Sequence, residues 1–139
     1  MFIDIREIMH YGEYYSFDDS GKKYDVFWWL SLIDYSVINI ETLCEKYSYH
    51  SCEEILEAGL YIPFFRTDIL DVEREFIKKY YPYQAKKIFN NELDLDNHIA
   101  FMKFAENNYQ EESFYSYRDE RLARDAVKWC CENHLKYKE

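Results

Sequence analysis

Turn formers, long apolar runs and positive charge are all scarce in this chain of 139 residues. With three Gly and two Pro, collagen-like repeats, long linkers and a glycine-rich phosphate loop are excluded. The longest dense apolar stretch, Val26-Phe27-Trp28-Trp29-Leu30-Ser31-Leu32-Ile33, is bounded by Asp25 and Asp34, well short of the roughly 20 residues a membrane span needs. Met1-Phe2-Ile3-Asp4-Ile5-Arg6-Glu7 is already charged and lacks the basic flank and apolar core of a secretory signal. A cytoplasmic protein without a membrane partner is expected. Lys and Arg number 17 against 27 Asp and Glu, a formal net charge of -10. A general nucleic-acid binder displaces phosphate counterions with a basic surface, so nucleic acid is not an expected partner. Residues 1–66 hold 12 acids and 5 bases, residues 67–139 hold 15 and 12, so a basic partner would feel the first half most.

No repeat, low-complexity tract or linker interrupts the chain, and one domain over residues 1–139 is expected. The fold class expected is α+β: an N-terminal β-hairpin packed on a mostly helical body. Glu13-Tyr14-Tyr15-Ser16-Phe17 and Lys22-Lys23-Tyr24-Asp25-Val26-Phe27 flank an Asp/Ser/Gly turn and read as the hairpin. Ile5, Ile8 and Met9 suggest a short helix over residues 4–10. Asn39 suits the cap of a helix over 40–47. Ser51 with Glu54 is a capping box before a helix over 52–58, closed by Gly59. Leu60-Tyr61-Ile62-Pro63 reads as extended. Thr67 or Asp68 caps a helix carrying Ile69, Val72, Phe76 and Tyr80, which Tyr81-Pro82 stops. Pro82 opens a helix over 82–90. Asp94 or Asp96 caps one with Ile99, Met102 and Ala105 on a stripe. The last helix is expected from about Ser116, with Asp119 as its capping-box partner, to His134, burying Leu122, Ala126 and Trp129.

Residues able to carry chemistry are present without a motif. Cys44, His50 and Cys52, with Cys130, Cys131 and His134, have the atoms of a zinc site, but seven residues separate Cys44 from Cys52 where structural zinc sites use close pairs. Reduced cysteines acting as small hydrophobes are the expectation, with no metal and no cofactor. Asp18/Asp19, Glu53/Glu54, Asp94/Asp96 and Glu111/Glu112 are neighbours at turns and helix starts, where acids favour the helix dipole, rather than two carboxylates across a cleft. Arg118, Arg121, Arg124 and Lys128 share a face about 120° wide on one helix. They suit an acidic partner, or pair with Glu120, Asp125 and Glu132 along the same helix.

The surplus is aromatic: 15 Tyr, 10 Phe and 3 Trp. Tyr14, Tyr15, Tyr24, Trp28 and Trp29 cluster in the sequence around the hairpin and are the candidate interaction residues, since Tyr and Trp combine rigid contact area with a polar tip. The alternative is a core built of rings whose hydroxyls reach solvent.

Phe114-Tyr115-Ser116-Tyr117-Arg118-Asp119, followed by Ala126-Val127-Lys128-Trp129, resembles the closing signature of uncharacterised protein family 0158, a set of small bacterial proteins. Leu60-Tyr61-Ile62-Pro63 and Ala100-Phe101-Met102-Lys103-Phe104 resemble two upstream segments of that family, and Tyr15-Ser16-Phe17 with the turn at Gly21 its N-terminal hairpin. The family's Gly-Arg-Gly is replaced here by Asp96-Asn97-His98-Ile99, and an Arg by Met102. The resemblance singles out Tyr117, Arg118, Asp119 and Trp129, implies one domain in a bacterial cytoplasm, and brings no mechanism.

The expected function is a non-enzymatic protein-binding or regulatory module that meets a basic protein partner through Val26–Tyr35 and the hairpin, aromatic anchors at the centre and acids at the rim. A small metal-dependent hydrolase using His50, His98 or His134, and a structural homo-oligomer such as a homodimer, are the alternatives.

Overall fold

Short local signals set the element boundaries in the computed structural model, which describes residues 1–17 and 26–139. Strand β1 (Ile3–Asp4) runs straight into helix α1 (Ile5–Ile8), because the Asp4 carboxylate accepts the Arg6 N–H. A 3-10 turn over Met9–Gly12 leads to β2 (Glu13–Tyr14). Further on, β3 (Trp28–Ser31) and β4 (Val37–Asn39) are antiparallel neighbours. Asn39 then caps α2 (Ile40–Tyr47), its side-chain oxygen accepting the Thr42 N–H at 2.8 Å. Ser51 caps α3 (Cys52–Ala58) through the Glu54 N–H, and Glu54 reaches back to the His50 N–H. Gly59 ends that helix at φ 73°, a conformation side chains resist.

Strands β5 (Tyr61–Pro63) and β6 (Thr67–Asp68) follow. Asp68, rather than Thr67, caps α4 (Ile69–Tyr80) by accepting the Leu70 N–H. Pro82 opens a 3-10 turn, Pro82–Gln84, that passes into α5 (Ala85–Ile88), so the expected helix over 82–90 is split. Helices α6 (Asp94–Asn107) and α7 (Glu111–Glu132) and strand β7 (Tyr137–Lys138) complete the chain. The class is α+β.

The described residues group into two compact units. The first takes residues 1–12, 26–65 and 126–139. Its three-stranded antiparallel sheet has the order β4-β3-β5, with Trp29 opposite Ile38 on one side and Pro63 on the other. Trp29, Ile40, Leu43 and Ile55 are buried together against Tyr61 and Cys52. Strand β1 pairs in parallel with β7. The Trp129 ring stacks on Phe64, and its N–H donates to the Pro63 carbonyl at 3.1 Å. Gly12 lies against the Phe65 ring so closely that a Cβ there would collide with it.

The second unit takes residues 13–17 and 66–125. Strand β2 pairs in parallel with β6. Buried Thr67 donates from its hydroxyl to Asp125 of α7 at 2.7 Å. Phe76 of α4 is the hub of the interior, with Phe101, Phe114 and Tyr117 around it at centroid distances of 5.5–6.3 Å, the tilted and edge-on geometry ring quadrupoles favour.

Four expectations change here. Of the hairpin expected across Glu13–Phe27, the turn at Asp18–Gly21 and most of the second strand over Lys22–Phe27 fall outside the described residues. Its first strand is only Glu13–Tyr14, and the partner is Thr67–Asp68. Among the described residues a hairpin lies further on, β3 to β4. Asp34 shapes its turn by accepting the Ser36 N–H and hydroxyl, and Tyr35 takes φ 59°. Second, no side chain caps α6: the position before it is Leu93, Asp94 is its first residue, and Asp94 instead accepts from Arg74 at 3.1 Å. Third, its buried stripe is Asn97, Phe101 and Ala105, while Ile99 is exposed. Fourth, α7 starts at Glu111, one and a half turns before the capping pattern at Ser116 and Asp119.

Candidate functional site

Helix α4 ends and α7 begins on either side of an open groove in the second unit, with a volume of about 520 Å³. Its apolar wall is Phe76, Tyr80, Tyr81 and Tyr117; its polar wall is Gln110, Ser113, Ser116 and Glu120. The spacing explains the split. Ser113, Ser116, Tyr117 and Glu120 recur at i, i+3, i+4 and i+7, which places them on one face of α7. Tyr80 stands four residues beyond Phe76 on α4, with ring centroids 5.1 Å apart, yet remains 53% exposed. Tyr80 and Tyr117 meet nearly at right angles, 85° with centroids 6.1 Å apart. The Lys79 ammonium lies 5.4 Å from the Tyr80 ring centre and 5.8 Å from that of Tyr117.

A second cluster lies deeper in the same unit. Glu73 of α4 is fully buried, and its Oε2 lies 2.8 Å from Nδ1 of His98 on α6, its Oε1 3.1 Å. Burial, reinforced by the Asp68 charge and opposed by Arg74, pushes the Glu73 carboxyl up to about 9. Burial also holds the His98 imidazole below its ordinary value. Both shifts favour uncharged partners, so around neutrality the pair shares one proton and carries no net charge. Tyr15 and Phe17 lean on the imidazole with centroids 5.3 and 5.2 Å away. Burial first, then the carboxyls of Glu73 and Glu13, pushes the Tyr15 hydroxyl up to about 12. This arrangement holds a proton inside an aromatic shell.

The candidate interaction residues are dispersed by the fold. Trp29 is 1% exposed in the core of the first unit, and its N–H donates to the Val26 carbonyl. It is therefore not a surface anchor. Trp28 is half-buried between Tyr11 and Phe27. Tyr14 is half-buried, with the Arg66 guanidinium 3.6 Å above its ring. Tyr15 lies against His98, and Tyr24 lies outside the described residues. Within the stretch Val26–Tyr35, Trp28–Ser31 form the central strand of the three-stranded sheet, while Phe27, Leu32 and Ile33 beside it are exposed. Exposed rings also occur at Tyr80, Tyr83 and Tyr109.

The family-like residues make defined contacts within their units. Tyr117 packs on Phe76 and lines the groove. Arg118 bonds Asp119 at 3.1 Å, reaches Glu13 at 3.5 Å and lies over the Tyr115 ring. Trp129 bonds Pro63 as described. In the basic stripe Arg121 bridges Glu75 and Asp125, and Lys128 approaches Glu132 at 3.9 Å. None of the four cysteines forms a disulfide, and among the described residues no group of three or more His, Cys, Asp or Glu converges as a metal site. No helix among the described residues is long and apolar enough to cross a membrane.

Sequence reasoning missed Glu73 and the groove. A signal for Glu73 exists: it falls on the α4 stripe formed by Ile69, Val72, Phe76 and Ile77, and an acid on such a stripe is a buried acid. Asn97 gives the same signal on α6, where its amide holds the Asn91 backbone through both N–H and carbonyl. The groove has no such signal, since it forms between helices distant in sequence. No family model matches the chain, and neither does a curated protein or a solved structure.

Proposed function

We propose that this chain is a non-enzymatic protein-binding module of the bacterial cytoplasm, and that it docks a basic segment of a partner protein in the groove between α4 and α7. The observation that carries this reading is the lining itself: tyrosine rings left open to solvent beside serine, glutamine and glutamate side chains. Aromatic centres with polar rims are where protein interfaces concentrate their affinity. A net charge of -10 steers basic partners towards the chain.

The test is site-directed photo-crosslinking from position 113 in the native host, followed by rebinding of the purified captured protein. The expected result is that Tyr80→Ala weakens rebinding about tenfold, while Tyr83→Ala, an exposed ring outside the groove, leaves it unchanged. Equal affinity for the wild type and Tyr80→Ala overturns the reading.

A further inference from the structure

We infer that the groove recognises one cationic side chain of its partner, an alkylammonium or guanidinium group, and that Lys79 of this chain is a resident competitor for that position. The inference rests on the binding-module reading and names the group that the module would read. Ring faces carry negative quadrupole density and attract cations within about 6 Å of the centroid. Tyr80 and Tyr117 form a corner of two such rings, and the Lys79 ammonium already stands within that range of both. A cation is therefore what this corner accommodates.

The charge distribution points the same way. Among the described residues, Glu120 pairs with no cation, although it lines the groove one turn beyond Tyr117. Lys79 likewise pairs with no carboxylate there; ring contacts alone engage it. Its long exposed stem can swing aside at little cost, whereas a partner's cation can take the rings and the Glu120 carboxylate together. Lys79 thus lowers the affinity for basic segments without closing the groove.

The test is an amide NMR titration with acetylated Gly-Arg-Gly and Gly-Lys-Gly amides, with the Gly-Gln-Gly amide as neutral control. Both cationic peptides are expected to shift the Ser113, Ser116 and Tyr117 amides, and the glutamine peptide is not. Lys79→Gln should tighten binding about two- to fivefold, while Lys86→Gln, the same charge change outside the groove, does not. Glu120→Gln and Tyr117→Leu should each weaken it by a similar factor, with Glu92→Gln as the matched charge control. Glu120 is exposed, so its substitution reports on binding even if a tyrosine variant folds poorly. Equal shifts from all three peptides, or equal effects of groove and control substitutions, overturn the cation assignment. The binding-module reading survives that outcome if the crosslinked partner still loses affinity on Tyr80→Ala, and falls on its own test if it does not.

Discussion

The two units solve the problem of a small interior in different ways. In the first, Trp29 of the sheet is seated among aliphatic side chains, Ile40, Leu43 and Ile55, and the Trp129 ring stacks on Phe64, with no buried acid among the described residues. In the second, rings pack on rings around Phe76, and a carboxyl and an imidazole are enclosed with them. The first interior depends on shape. The second depends on shape and on the placement of a proton, because a buried carboxyl is tolerated only while neutral or paired. Many of the rings contact other rings, and those left open include Phe27 near the hairpin region and Tyr80, Tyr83 and Tyr109 away from it.

The largest effect that would sharpen this contrast is Trp29→Ala. It removes the largest side chain from the sheet core and should lower unfolding free energy by about 3–5 kcal/mol in a denaturant titration. A loss below about 1 kcal/mol would mean that the aliphatic shell closes over the gap.

The second unit should respond to pH instead. In an unfolded chain Glu73 titrates near about 4.3 and His98 near about 6.5. Between those values the unfolded pair binds one proton, on His98, and the folded pair binds one, shared with Glu73, so this pair adds no pH dependence. Above about 6.5 the unfolded pair holds none, while the folded pair keeps its proton until Glu73 ionises at about 9. The native state then binds more protons, and stability falls as pH rises, by about 1.4 kcal/mol per pH unit. Denaturation at pH 6 and pH 8.5 should show a loss of about 2–3 kcal/mol that Glu73→Gln abolishes, since the amide has no proton to lose and can still donate to Nδ1. The same loss in Glu73→Gln would place its origin elsewhere.

Smaller effects return to the first unit. Gly12→Ala forces the Phe65 ring aside and should cost about 1–3 kcal/mol; an unchanged melting temperature would show the ring to be free to move. Ser51→Ala removes the cap of α3 at a cost of about 1 kcal/mol, visible as earlier amide exchange over residues 52–55.

Much of the helical framework was legible because its causes are local. Asn39, Ser51, Asp68, Gly59 and Pro82 act on backbone groups within four residues, and the helices at 40–47, 52–58 and 69–80 sit where those residues put them. The start of α7 was not legible: Glu111 and Glu112 suit a first turn as well as Ser116 and Asp119 do, and only packing of Phe114 against Phe76 and Phe101 makes the earlier start worthwhile. Strand pairing was read least well. Thr67–Asp68 lies over fifty residues from Glu13–Tyr14, and nothing within either dipeptide names the other.

By itself, then, the amino-acid order determined what depends on near neighbours: the α+β character, the helix caps and stops, the apolar stripe of α4 and the acidic balance of charge. Tertiary structure alone decided which rings face inward, that Glu73 and His98 meet across 25 positions of chain, and that Tyr80 and Tyr117 make a corner open to solvent. The reason is that backbone propensity and capping act over one helical turn, whereas burial and ring packing are set by whichever distant segment closes against a face, and one sequence window holds no record of that segment.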